Sequence, residues 1–85
     1  MEHASIQAIS TKTLLEMLTD ADDRDFAFRR SARRDILYAV VQTQAQKQTH
    51  RLVLLTASED LARRCERNWQ LFMNRYSFAI YQIAS

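Results

Sequence analysis

The chain contains neither glycine nor proline. Without glycine, positive φ is costly at every position, which excludes a glycine-rich phosphate loop and a glycine-flanked nucleophile elbow. Two-residue hairpin turns are disfavoured for the same reason. Connections have to be built from helix caps and open loops of Asp, Asn, Ser and Thr. Cysteine occurs once, at Cys65, so no intrachain disulfide can form. With His3 and His50 as the only imidazoles, the chain has no zinc-site spacing. No apolar run reaches membrane-spanning length, and the first residues are polar with no signal-peptide core. The expectation is a cytoplasmic protein without a membrane partner.

What is present is ordinary for a folded chain. Apolar residues make up 47% of the 85 positions and charged residues 26%, enough for one small domain, 1–85, with a modest core. The net charge is +2. Lys12 and Lys47 are the only lysines, so the positive charge is almost all arginine. Arginine favours bidentate contact with carboxylate or phosphate, which leans towards a binding surface.

The stretch around which the chain is organised is Arg51 to Leu61. Leu52 to Leu55 is an apolar run of strand length, and its apolar residues do not alternate with polar ones, as in a strand buried on both faces. Thr56 and Glu59 have capping-box spacing and predict a helix start. Upstream, Ala4 to Ile9 alternates as a short edge strand or forms a frayed tail, and Leu14, Leu15, Met17 and Leu18 follow Ser10 and Thr11 at helical spacing. Asp20, Asp22 and Asp23 read as a cap and an acidic first turn, with metal binding a minor alternative. Phe28, Ala32, Ile36, Ala39, Val40 and Thr43 then fit one face of a long helix over 24–47. Downstream, Leu61, Cys65, Trp69, Phe72 and Met73 recur at helical spacing, and 76–83 is rich in aromatic and β-branched residues. A strand, a helix and a strand imply a right-handed crossover between parallel strands. The fold expected is therefore α/β, of order (β)ααβαβ. It would be a small, mainly parallel sheet of two or three strands (4–9, 51–56, 76–83) packed with helices over 11–19, 24–47 and 58–74.

Arginine carries the candidate sites. Arg29, Arg30, Arg33 and Arg34 share one side of a helix and form a compact positive patch, partly neutralised by Asp22, Asp23, Asp25 and Asp35. Arg63, Arg64 and Arg67 form a second stripe, which would join the first in a groove only if both helices lay on the same side of the sheet. Such patches suit an acidic protein surface or a phosphate backbone. Trp69, Phe72 and Tyr76 have core spacing rather than that of a base-stacking platform. Cys65 falls on the same apolar face and reads as a small hydrophobe. His50 has no evident relay partner. The best acidic constellation is Asp35 with Asp60 or Glu59.

Arg34-Asp35-Ile36-Leu37, followed by Leu52-Val53-Leu54-Leu55-Thr56-Ala57-Ser58-Glu59-Asp60-Leu61, resembles the C-terminal half of a PIN domain over residues 34–83. The resemblance implies a metal-dependent ribonuclease holding Mg²⁺ through Asp35 and Asp60. Ser58 stands where that family's metal-binding Asp is expected, which implies a degenerate, binding version. No other cofactor is implied.

From the residues themselves, the expected function is a non-catalytic regulatory or adaptor module. It would bind a protein partner through its arginine faces, with RNA or DNA as the alternative ligand. A small sheet also leaves an edge strand that can pair with a second copy in a homodimer.

Overall fold

A computed structural model describes residues 5–32, 36–73 and 75–83. Each helix begins at a polar residue whose side chain takes up a free backbone N–H. Ser10 Oγ accepts from Thr13 N at 3.1 Å and starts α1, Thr11–Met17. Asp20 Oδ1 accepts from Asp22 N at 2.9 Å and from Asp23 N at 3.2 Å, and starts α2, Ala21–Ser31. Ser58 Oγ accepts from Leu61 N at 3.1 Å and starts α3, Glu59–Phe72. Thr56 is therefore not the cap. It still belongs to a strand, paired with Tyr38, and its hydroxyl accepts from Ser58 N at 3.1 Å.

The strands are β1 (Ile6–Ile9), β2 (Leu37–Gln44), β3 (Thr49–Thr56) and β4 (Ser77–Ile83), in the spatial order β1-β4-β2-β3. β1 runs parallel to β4, while β2 is antiparallel to both β4 and β3. Among the described residues the chain is α/β with three helices, but its sheet is mixed and four-stranded rather than mainly parallel with two or three strands. The missing strand is β2, which lies inside the segment expected to be the long helix 24–47. Helical spacing persists across 28–43, yet Leu37, Ala39 and Val41 point to one side of the sheet and Tyr38 and Val40 to the other. Period two, with both faces apolar, decides the segment.

β3 is an edge strand, not the central one. β3 and β4 do point the same way, but β2 lies between them. The non-alternating run in β3 also has a local cause. Val40 pairs with Leu54 and Val41 with Leu52, so Val53 is an extra, bulged residue. The bulge sends Val53 and Leu54 to one face and Leu52 and Leu55 to the other.

The sheet separates two cores. On one face α1 and α2 bury Leu14, Leu18 and Ala27 over Leu37, Ala39, Val41, Leu55 and Ile83. On the other α3 lays Ala62 against Val40, Phe78 and Ile80, with Trp69 and Phe78 rings 6.2 Å apart. Fully burying a Leu-sized side chain contributes about 1.5–3 kcal/mol, so the face holding Leu14 and Leu18 carries much of the stability. Phe28 and Ile36, assigned to a core face by spacing, are exposed.

The two sheet edges differ. At β3, Thr19 N donates to His50 O at 3.1 Å and His50 N donates to Thr19 Oγ1 at 3.0 Å. Leu52 N donates to Asp23 Oδ2 at 3.1 Å. These contacts occupy outward-facing backbone groups in the first half of β3. Beyond β1, no element covers the edge among the described residues. No helix there is long and apolar enough to cross a membrane.

Candidate binding surface

Arg29 and Arg30 of α2 and the arginines of α3 lie on helices packed against opposite faces of the sheet, so these residues do not line one groove. On α2, Arg29 pairs with Asp25, one turn earlier. Arg30 is half-buried, and its Nε has no acceptor among the described residues. Arg33, Arg34 and Asp35 lie outside the described residues. On α3, Arg64 Nη2 meets Asp60 Oδ2 at 2.6 Å and Arg63 Nε meets Glu59 Oε2 at 3.2 Å. Exposed pairs at this spacing each contribute only a few tenths of a kcal/mol. Arg67 is exposed and has no ion pair among the described residues. Asp60 is thus engaged by Arg64, and no cluster of three or more metal-ligating side chains occurs among the described residues.

His50 is pinned by structure. Its Nδ1 lies 2.9 Å from Thr43 Oγ1, and its backbone is tied to Thr19. Cys65 is half-buried on the α3 side, and burial pushes its thiol above the ordinary value, with smaller opposing and reinforcing effects from Trp69 and Glu66. That suits a small hydrophobe rather than a nucleophile.

The surface that spacing misassigned is the C-terminal end of α3. Trp69 is 40% exposed, Leu71 76% and Phe72 86%, so Phe72 is not part of the core. The cause is geometric. At about 100° per residue, Leu71 falls opposite buried Ala62, and Phe72 is the last helical residue. Arg64, Arg67 and Leu71, at i, i+3 and i+7, share this outer side. Asn68, Trp69, Phe72 and Met73 line an apolar cavity of about 370 Å³.

One turn further along, Tyr76 N donates to Met73 O at 3.2 Å, and Gln70 Nε2 donates to Tyr76 O at 3.2 Å. Tyr76 is a wall of two neighbouring depressions. One, of about 300 Å³, is lined by Gln42, Gln44, Lys47, Thr49 and Arg51. The other, of about 450 Å³, is lined by Gln44, Ala45, Gln46 and Arg75. They share Gln44 and Tyr76, and among the described residues neither is lined by an acid. Arg51 is held at the sheet edge, its Nε 2.7 Å from Asp23 Oδ2 and its Nη2 3.8 Å from Asp20 Oδ2. The Asp23 hydrogen bond first, then the charges of Asp23 and Asp20, push this guanidinium above its ordinary value. Lys47 and Arg75 have no such partner among the described residues.

Two signals in the sequence mark this surface. Trp69, Leu71, Phe72 and Met73 crowd more apolar area into five residues than one helix face can bury. Gln42, Gln44 and Gln46 recur at period two beside a charged turn. No known family matches the chain, and neither a curated protein nor a solved structure matches it.

Proposed function

We propose that the chain is a non-catalytic docking module for a protein partner, and that its contact surface is the outer side and C-terminal end of α3. The observation that carries this reading is the exposure of Trp69 and Phe72 around an apolar cavity, with Leu71 exposed on the adjoining outer side of the helix. Aromatic residues and arginine are enriched where protein surfaces bury one another. Arg64 and Arg67 beside Leu71 supply the polar rim. The arginine stripe of α3 thus belongs to the contact surface, while Arg29 and Arg30 of α2 lie on the other side of the sheet.

A photo-crosslinking residue placed at position 72, with a control at exposed Phe26 on α2, tests the assignment in the source cells. Discrete protein adducts should form from position 72 only, and purified partner should lose affinity for Leu71→Ser and Phe72→Ser. Adducts from position 26 alone would move the site to α2.

A second contact is proposed at the sheet edge. β1 carries no charge, proline or bulge to discourage strand addition, whereas the first half of β3 is covered by Thr19 and Asp23. Antiparallel pairing of two β1 strands about a twofold axis perpendicular to the sheet would give a homodimer with like faces aligned. Sedimentation from micromolar to near-millimolar concentration should show a dimer, and Ala8→Lys should abolish it. A monomer throughout would remove this contact.

A further inference from the structure

We infer that the segment docking at this surface is acidic, with a bulky apolar side chain close in sequence to its carboxylates. The inference rests on the docking reading and names the partner's chemistry. It comes from the juxtaposition of two unlike depressions across one turn. The Tyr76 N to Met73 O hydrogen bond closes a turn from i to i+3, which keeps the two Cα atoms within about 7 Å. Met73 walls the apolar cavity and Tyr76 walls both polar depressions. An extended peptide advances roughly 3.3 Å per residue, so a few residues span from one to the other.

The apolar cavity, at about 370 Å³, has room for a bulky apolar side chain such as Leu, Phe or Trp, and Asn68 is the only polar residue among its described lining residues. The polar depressions present Lys47, Arg51 and Arg75, with no acid among their described lining residues. Arg51 is already neutralised by Asp23 and Asp20, so Lys47 and Arg75 are the cations that remain to meet an incoming anion. Gln42 and Gln44 are half-buried, and their amides have no hydrogen-bond partner among the described residues. Each amide offers both donors and an acceptor, the set that a peptide backbone complements.

A single-stranded nucleic acid fits less well. A base entering the apolar cavity would leave most of its polar edge unpaired. A phosphate chain would also need a continuous cationic track, whereas Arg63 and Arg64 are paired with acids of their own helix.

The test is a selection of displayed random twelve-residue peptides against the full chain, followed by titration of synthetic winners. The variants are Phe72→Ser, Lys47→Gln with Arg75→Gln, and Arg29→Gln as a control on the opposite face. Each replaces an exposed side chain, and circular dichroism and thermal melts confirm that they fold. Winners should carry Asp or Glu within a few residues of Leu, Phe or Trp. Their affinity should fall about tenfold in Phe72→Ser and in the Lys47/Arg75 double variant, and stay unchanged in Arg29→Gln. Added salt should weaken the parent more than the double variant. Winners without acids, still lost in Phe72→Ser but indifferent to the double variant, would overturn the acidic assignment and leave the docking surface standing. No enrichment, or instead binding of an oligouridylate lost in the double variant, would overturn both.

Discussion

The two faces of the sheet hold helices of opposite economy. On one, a helix of 7 residues and another of 11 bury Leu14, Ala27 and Ser31, with Leu18 directly after the first. On the other, a helix of 14 residues buries only Ala62. Length and amphipathicity therefore do not determine how much a helix contributes to the core. Two helices side by side close over each other's flanks. A lone helix has open flanks, and its apolar residues beyond the line of contact stay in water. The face with fewer buried side chains is the one left with Trp69, Leu71 and Phe72 for recognition.

That contrast can be broken by substitution. The largest effect belongs to the closed face: Leu14→Ala should destabilise by about 2–5 kcal/mol, while Leu61→Ala on α3 should cost well under half as much. Urea denaturation of both variants measures the difference, and equal losses would erase the distinction between the faces. Next come the caps. Asp20→Ala on the closed face and Ser58→Ala on the open one should each cost about 1 kcal/mol, because capping is local to the helix end. Matching shifts in melting temperature would place the asymmetry in packing rather than in helix formation. A smaller change, of opposite sign, is expected at Gln48, whose φ of 52° is left-handed. Gln48→Gly should stabilise by roughly 0.5 kcal/mol, the relief of strain being partly offset by the freer unfolded chain. Smallest of all, Leu71→Ser and Phe72→Ser should move stability by no more than about 0.5 kcal/mol. A large loss in either would show that these side chains are core after all.

Elements whose ends carry explicit chemistry were legible in the sequence. Ser10 and Asp20 announce α1 and α2, and the apolar runs at 52–55 and 78–83 announce β3 and β4. β2 was hidden because Phe28, Ala32, Ile36, Ala39, Val40 and Thr43 satisfy a helical period while spanning a helix, a connection and a strand. No glycine or proline marks the break, and the β2–β3 turn uses Gln48 in a conformation usually left to glycine. The better clue was Tyr38 to Val41, a run of strand formers with apolar residues on both sides. Among candidate site residues, Arg29 and Arg30 lie on α2 and Arg63, Arg64 and Arg67 on α3, but that these helices pack on opposite faces depends on topology. Phe72 was misassigned because helical spacing says which side chains align, not how far a neighbour extends to cover them.

The pairing of Ile6 with Ile80 and of Ile9 with Ile83 joins the two ends of the chain, whereas the β2–β3 hairpin closes over four residues between Gln44 and Thr49. Loop-closure entropy grows with the length of chain enclosed, so the hairpin can form early while β1 must wait for almost everything between. β1 is also short, and it hydrogen-bonds to a neighbour on one side only. It is therefore the strand to dock last in folding and to detach first from the native state, and the backbone amides of Ile6 to Ile9 should exchange with solvent well before those of β2. Each such departure briefly turns β4 from an interior strand into an edge, giving the molecule a short-lived second end at which another strand can add.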